Sequence, residues 1–495
     1  MFLLRRARAT FPHIVASTAR FSSQCSAASE SANVVAVCLD GRRGVLELKG
    51  RDVAKLLQNV GTNDFSNAQL EALAKTAAAP DAAGACQYSC FLTNKGRVHV
   101  GDALVFVPPP NDTASSADQD KPDEPIVLVD VALNLLPTLQ QHLKAYKLRA
   151  KVAIRDATSD YAAWALFARH SEAGVASGDG GAVLRQTCAG LRASTEEGLG
   201  GGAAALDPRT SALGARAILP RRTFPCLNSG DSNNSSSSTA WAALGCSTDA
   251  AAWLGADERT SGDVTIEDNH ASGLALYDWV RLSQGLPEGN EWAGQVPLEL
   301  NLERLNGVSF TKGCYMGQEL TARTHFQGLV RKRALPVMLA PLPPLGPVPQ
   351  WSELAAPPGS PIGAVGAWIK AAATATFPQE GSSERSRVAV GDNVVGEESG
   401  KVVGSIVSVA PGSKSGCPVA VAKLRLDSVG LGSKGGASHE NLIVVRPPAA
   451  APSGSDGGAS ADGGGGGGGG AGGGTAIAAA TPYLPAWWPS ETERE

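Results

Sequence analysis

From residue 34 to residue 445 the chain alternates short apolar runs of strand length with stretches of helical spacing, and tight turns recur between the runs. That order limits the fold more than any other property. A doubly wound sheet needs a helix after nearly every strand, whereas successive strands joined by turns call for an α+β arrangement. Residues 34–37 and 45–48 lie around Gly41 and Gly44 and predict a hairpin. Val53, Leu56, Leu57 and Val60 fall at helical spacing, and Gly61 follows as a stop. Strands are expected at 88–92 and 98–107 around the turn Asn94-Lys95-Gly96, then at 126–131, 152–154 and 162–167, with a helix over 134–148. Asp268 or Asn269 is placed to cap a helix running to about Gln284. A strand follows at 334–339, and several short strands between glycines over 388–445 predict a small β-barrel.

Much of the sequence does not look like a packed domain. It holds 58 glycines and 31 prolines in 495 residues, with the glycines gathered in tracts such as 463–470. Composition divides it into a leader at 1–29, an α+β region at 33–340, an insertion at 341–386, the barrel at 387–446, a Gly-rich linker at 447–480 and a Trp-rich tail at 481–495. Within the α+β region, 171–205 and 223–262 are expected to be disordered insertions. A formal charge of −4 gives no general attraction to nucleic acid or an anionic membrane, and neither is expected as a partner. The run Arg331-Lys332-Arg333 is expected as a solvated strand edge. No apolar run reaches the roughly 18 residues of a spanning helix.

Nine cysteines are scattered without a C-x-x-C pair, which argues against a zinc site or a disulfide scaffold and for a reducing compartment. Arg5, Arg6, Arg8 and Arg20 stand among Ala, Ser, Thr and apolar residues, and no acid precedes Glu30. This is the composition of a transit peptide, pointing to the mitochondrial matrix, with the plastid stroma as the alternative.

The chemistry is concentrated in Lys312-Gly313-Cys314-Tyr315-Met316-Gly317-Gln318-Glu319. An ammonium two positions before the thiol and a helix start after it both favour thiolate, the form that ligates metals or attacks electrophiles. A structural loop cysteine is the plainer alternative. Glu319 and Arg323 are spaced as an i,i+4 pair, worth about 0.3–0.5 kcal/mol if solvated, and the Gln318 amide can donate and accept within the loop. Two matches carry nothing. The G-x-G-x-x-G at 430–435 is not followed by a helix, and the sequons at Asn111 and Asn233 are irrelevant in a matrix protein. No Walker A sequence occurs.

The octapeptide resembles the K-G-C-Y-x-G-Q-E signature of the YgfZ family, folate-binding relatives of the glycine-cleavage T-protein (GcvT). Asn306-Gly307-Val308-Ser309-Phe310-Thr311 before it and Leu320-Thr321-Ala322-Arg323-Thr324-His325 after it agree with the mitochondrial branch, the iron–sulfur cluster assembly factors. Residues 55–64 resemble the F-L-Q-x-x-x-T-N-D segment of T-protein relatives, and Asp207-Pro208-Arg209-Thr210 and the Trp487-Trp488 tail also look like the family. The resemblance implies a GcvT-like cloverleaf of mixed α/β modules with a C-terminal barrel, around a cavity for tetrahydrofolate. It implies that Cys314 is a reactive thiol or a shared ligand to a [2Fe–2S] or [4Fe–4S] cluster held transiently with a partner, and that Lys312, Gln318, Glu319 and Arg323 support its loop. The partners it implies are A-type iron–sulfur carriers and [4Fe–4S] apo-proteins such as aconitase, and the role is not that of an ordinary enzyme. Asp102, in Val100-Gly101-Asp102, stands where T-proteins carry an acidic pair, and Glu299 matches a position that contacts the pterin. The lost carboxylate weakens the competing expectation of a tetrahydrofolate-dependent aminomethyltransferase. A folate-binding scaffold with a structural Cys314 is the third.

Overall fold

The computed structural model describes residues 34–78, 85–108, 124–168, 179–196, 202–224, 241, 246–248, 266–340, 388–409, 419–431, 441–447, 475–485 and 487–489. The leader at 1–29 and the two sequons lie outside them, as do the insertion at 341–386 and most of the G-x-G-x-x-G match.

Among the described residues, the strands form two five-stranded sheets and a barrel. One sheet runs in the order β10 (Cys246–Ser247), β1 (Val34–Cys38), β7 (Tyr161–Ala168), β9 (Ala215–Pro220), β8 (Ala203–Leu206). The other runs β3 (Cys86–Leu92), β4 (Val98–Phe106), β5 (Ile126–Ala132), β2 (Arg43–Lys49), β6 (Ala153–Asp156). Their facing sides share one core, in which Val35, Val37, Ala165 and Ile218 meet Val45, Tyr88, Leu104 and Leu128. The period of two along each strand sends the intervening residues to the outer faces. Helices α1 (Val53–Val60), α2 (Asn67–Ala78) and α3 (Leu136–Lys147) cover Leu46, Leu48, Val105 and Val129 on the second sheet. Helix α4 (Asp179–Glu196) covers Trp164, Leu166 and Leu219 on the first.

Helix α5 (Ile266–Ser283) packs Leu276, Tyr277 and Val280 into the shared core. The signature segment leads into α6 (Gln318–Gln327). Six strands then close a barrel in the order β11 (Lys332–Ala340), β14 (Val419–Arg425), β13 (Val402–Val409), β12 (Asn393–Gly396), β15 (Leu442–Arg446), β16 (Thr475–Pro482). The α+β class and the C-terminal barrel expected from the sequence are both present. Among the described residues no helix is long and apolar enough to cross a membrane.

Several expectations are overturned. Strands β1 and β2 are not a hairpin: β1 pairs with β7 and β2 with β5 and β6, so the turn between them hands the chain from one sheet to the other. All of β1 and most of β2 are buried, and a two-stranded ribbon would leave such strands wet. The stretch 171–205 contains α4 and β8, because Leu184, Cys188 and Leu191 form an apolar stripe at helical spacing that the Gly/Ala background obscures. The stretch 223–262 supplies the edge strand β10, and Trp241 lies 4.7 Å from Trp164 and 5.0 Å from Phe224 between ring centroids.

Helix α5 begins at Ile266, so Asp268 and Asn269 lie within it and do not cap it. Strand β16 occupies the end of the expected linker at 447–480 and pairs with both β11 and β15. Its Ala-rich sequence carries little strand signal, yet Ala478, Ala479 and Ala480 are buried. Arg333 is also not a solvated edge residue. It is buried, pairs with Glu303 at 2.7 Å, and donates to the Leu298 carbonyl and Asn301 Oδ1.

Candidate functional site

Two segments some 250 residues apart meet at the thiol. The Gly61-Thr62-Asn63-Asp64 segment after α1 is threaded under the signature loop. Lys312 Nζ donates to the Gly61 carbonyl at 2.8 Å and the Asn63 carbonyl at 2.6 Å. Thr62 Oγ1 donates to the Gly307 carbonyl at 2.6 Å, and Asn63 Nδ2 bridges the carbonyls of Tyr88 and Asn306 at 2.9 and 2.8 Å. Two backbone bonds complete the seam, Ser309 N to Thr62 O and Met316 N to Asn59 O, both at 3.0 Å. Tyr315 is buried beneath Lys312, whose ammonium lies 4.9 Å from the ring centroid. Residues 312 and 315–316 are thus anchored, while Gly313 and Cys314 stand outward at the apex. Among the described cysteines Cys314 alone is exposed.

Of the two roles expected of Lys312, loop support and a charge beside the thiol, this geometry serves the first. Its ammonium is directed at the backbone of the Thr-Asn-Asp segment, so it positions the loop and does not serve as a free counter-charge for the thiolate. Burial pulls its pKa down to about 8, against the opposing influence of Asp64. Charge-assisted hydrogen bonds contribute about 1.5–3 kcal/mol each to stability. Lys312→Met removes two such bonds and should therefore cost about 3–6 kcal/mol, less what is recovered by no longer burying a charge, read as a lower urea midpoint with an unchanged m-value.

Gln318 opens α6, its backbone N–H donating to the Tyr315 carbonyl at 3.3 Å. Glu319 and Arg323 form the expected i,i+4 pair, with side chains 87% and 62% exposed, and so contribute little to holding the loop.

A second constellation lies between the two sheets, and Asp102 is the one member named from the sequence. Tyr88, Leu104, Asp130 and Val45 are register partners in one row across the second sheet, and Arg43 and Asp102 sit beside that row. Arg43 donates from Nε to Asp130 Oδ1 at 2.6 Å, and from Nη1 to Glu288 Oε1 at 2.9 Å and to Asp102 Oδ2. Asp102 adopts φ 53, unusual for a side-chain-bearing residue, and takes a further hydrogen bond from Gly289 N at 3.3 Å. From the first sheet, Arg216 reaches Asp130 Oδ2 at 3.5 Å and donates to the Tyr277 hydroxyl at 2.9 Å. Burial raises the Asp102 pKa, against the pull of Arg43. Burial also pushes Glu288 upward, but the charges of Arg43, Arg281 and Arg42 outweigh it and hold that carboxyl below its ordinary value. The available signal was an ionisable residue within an otherwise apolar strand, as in Val-Leu-Val-Asp130-Val-Ala and Ala-Arg216-Ala-Ile-Leu-Pro.

The donor set suits a pterin. Asp102 Oδ1, Asp130 Oδ2 and Arg216 Nη1 are buried without a hydrogen bond, and the buried Tyr88 hydroxyl interacts with the Cys90 thiol. Two carboxylate acceptors with a guanidinium and a phenol match the N–H donors and carbonyl acceptor of an aminopyrimidinone edge. Glu299 shares no hydrogen-bond partner with this group; its carboxylate pairs with Lys423 of β14 at 3.1 Å.

No family model matches the chain. Among known proteins it is similar to the mitochondrial iron-sulfur cluster assembly factor IBA57 of Homo sapiens, with 31% identity over 325 residues covering 64% of this chain and 70% of that protein. The Mus musculus IBA57 is 30% identical over 63% of this chain and 68% of its own length. The IBA57 homolog of Dictyostelium discoideum is 28% identical, and the match spans 60% of this chain but only 61% of that relative. Among solved structures, the glycine cleavage system aminomethyltransferase T of Bartonella henselae aligns over 84% of this chain and 83% of its own, at 12% identity and a TM-score of 0.42. By its similarity to the human and mouse proteins, the chain belongs to the IBA57 iron–sulfur cluster assembly factor family.

Proposed function

We propose that this protein is a mitochondrial matrix factor in the maturation of [4Fe–4S] proteins, and that Cys314 is the ligand it lends to a cluster in transit. The observation that carries this reading is the exposed thiol at the apex of a loop pinned on both sides to a distant segment. The names of the human and mouse relatives and the acid-free, Arg-rich first 29 residues support the compartment and the pathway. Iron–sulfur clusters are usually held by four protein ligands, so a single thiolate shares the cluster with a second protein. An A-type carrier would bring the cluster, and [4Fe–4S] apo-proteins would receive it.

Tetrahydrofolate would sit against Asp102, Asp130, Arg216 and Tyr88 and would supply a pterin able to carry a one-carbon unit. The aminomethyltransferase reading has less support, since Val100-Gly101-Asp102 keeps one carboxylate where T-proteins carry an acidic pair.

The test is complementation of a depleted host with Cys314→Ser at matched protein level. Aconitase activity should fall at least several-fold while a [2Fe–2S] enzyme and glycine cleavage stay near normal. Full rescue of aconitase by the serine variant would overturn the ligand role and leave a folate-binding scaffold.

A further inference from the structure

Helix α3 ends in Lys144-Ala145-Tyr146-Lys147-Leu148-Arg149-Ala150-Lys151, where cations alternate with apolar residues and no acid intervenes. The chain turns back there, with Ala150 N donating to the Lys147 carbonyl at 2.8 Å. Leu148 takes the second position of the turn with φ 48 and ψ −114. This is the geometry of a type II′ turn, in which that position is normally glycine because a Cβ is strained. This chain places leucine there, and its side chain is 87% exposed. It adds nothing to the core of the second sheet, whose members on α3 end at Leu143. Tyr146 is 45% exposed, its ring propped on that of buried His142 with 4.9 Å between centroids. A residue that breaks a local rule without serving the fold points to a use outside it.

Further cations converge on the turn from neighbouring elements. Lys151 N donates to Asp52 Oδ2 at 2.7 Å, and a Cβ on Gly50 would lie 2.2 Å from the Lys151 carbonyl oxygen. The start of α1 is therefore packed against the turn and brings exposed Arg51 and Lys55 to it, with Lys49 from the end of β2. Of the acids in these segments, Asp52 is taken up by Lys151 N and lies 3.9 Å from Arg51, and Glu124 precedes the Pro125 carbonyl that accepts from Gly50 N. Among the described residues no carboxylate pairs with Lys144, Lys147, Arg149 or Lys151. The formal charge of −4, which argues against an anionic membrane when read over the whole chain, averages out this local excess. Helix α1 sets the patch apart from the thiol: its eight residues, about 12 Å in length, run from Lys151 to the segment under the signature loop.

We infer that this turn docks the protein on an anionic lipid surface. Leu148 and Tyr146 enter the boundary of the acyl chains, and the Lys and Arg side chains meet the headgroups. Three features select a membrane over other polyanions. A turn at a helix end is convex, whereas single-stranded nucleic acid is held in a groove that tracks its backbone. An aliphatic side chain gains nothing against phosphate but gains by leaving water at the acyl boundary. Tyrosine suits the headgroup level, with its ring in the apolar layer and its hydroxyl in water. The long Lys and Arg stems let their charges reach the phosphates while Leu148 is immersed. Attachment of this kind needs no spanning helix.

The experiment uses the full chain and vesicles of equal parts phosphatidylglycerol and phosphatidylcholine, with binding read by co-sedimentation. Every protein, the reference included, carries Arg5→Gln, Arg6→Gln, Arg8→Gln and Arg20→Gln, so that the basic leader does not supply the attachment. Binding of the reference should weaken as salt is raised and should be absent on pure phosphatidylcholine. Each cation near such a surface contributes about fivefold to partitioning. Lys147→Glu with Arg149→Glu should therefore lower binding at least about tenfold, with the melting temperature unchanged. Leu148→Gly should lower binding about fivefold and yet raise the melting temperature, because glycine relieves the turn.

Equal binding by the reference and both variants overturns the inference, as does a failure of the reference to bind the charged vesicles. If the reference binds a single-stranded oligonucleotide but no vesicles, and the charge variant loses that binding, the patch belongs to nucleic acid and the inference fails. If only the charge variant loses vesicle binding, the protein adsorbs through charge alone and the insertion of Leu148 falls.

Discussion

Replacing Arg43 with Met should leave little folded protein at neutral pH. The Arg43 side chain is fully buried, and it is the common partner of Asp102, Asp130 and Glu288, which are 1%, 0% and 8% exposed. It also donates from Nη2 to the backbone carbonyls of Asp102 at 2.9 Å and Asp130 at 3.2 Å. Removing one member of a buried ion pair costs about 3–5 kcal/mol, because the other charge is left uncompensated. Asp102 would lose its one ion-pair partner among the described residues, while Asp130 keeps Arg216 and Glu288 keeps Arg42 and Arg281, and a domain is stable by only about 5–15 kcal/mol in total. Soluble yield and the thermal melt followed by circular dichroism are the measurements.

The pH dependence gives a second readout with a definite sign. In the wild-type protein Glu288 is held below its unfolded value, so its stabilising contribution is present above that value and lost as pH falls through the folded pKa. Without Arg43, the Asp102 carboxyl, which burial already raises, should titrate higher still, so its neutral folded form is favoured at low pH and that contribution is lost as pH rises. Between pH 7 and about pH 4.5, where the Glu288 contribution is still complete, the variant should therefore gain stability relative to the wild type as pH falls. Arg43→Lys should be only partly tolerated, since an ammonium cannot reproduce the fork that reaches three carboxylates at once. A melt within a few degrees of wild type for Arg43→Met would refute the account of this cluster.

How much of this was legible follows from the kind of signal each feature leaves. The helix at Val53–Val60 and the hairpin of β3 and β4 are local, and period and turn chemistry were enough to find them. The joint at residues 39–42 was misread because Val34–Cys38 and Arg43–Lys49 are each reasonable strands, while their true partners, β7 and β5, lie far along the chain. Cys314 was readable as a candidate from its neighbours in sequence. The binding of Lys312 to Gly61 and Asn63 was not, because a contact spanning about 250 positions leaves no periodic trace. Arg43 falls between the two apolar runs, and its burial becomes evident only once both sheets are assembled. Strand β16 was hidden by a composition that reads as linker, since alanine is small enough to close a barrel without marking itself as apolar.

Replacing Gly317 with Ala should displace the Cys314 loop, and Gly313→Ala should not. Gly317 has φ 76 and ψ 6 as the residue before α6, a left-handed conformation that costs a side-chain-bearing residue about 1–2 kcal/mol. The methyl group would also lie 2.4 Å from the Thr93 carbonyl oxygen, 2.8 Å from Leu92 Cβ and 3.2 Å from Gly96 Cα. The closest of these is backbone, which cannot turn aside as a flexible side chain does, and overpacking of this kind costs about 1–3 kcal/mol more. Either the β3–β4 turn or the signature loop must move, and the loop carries the thiol three residues upstream. Gly313 sits directly beside Cys314, yet its backbone is not left-handed and a Cβ there meets nothing within 4 Å. The expected result is a lower melting temperature and poor complementation of aconitase for Gly317→Ala, with near-wild-type behaviour for Gly313→Ala. Because the residue next to the thiol is tolerant and the one that seats the loop is not, the pair separates a requirement for loop geometry from a requirement for open space around the sulfur. The reverse outcome would place the constraint at the sulfur itself, in whatever approaches it.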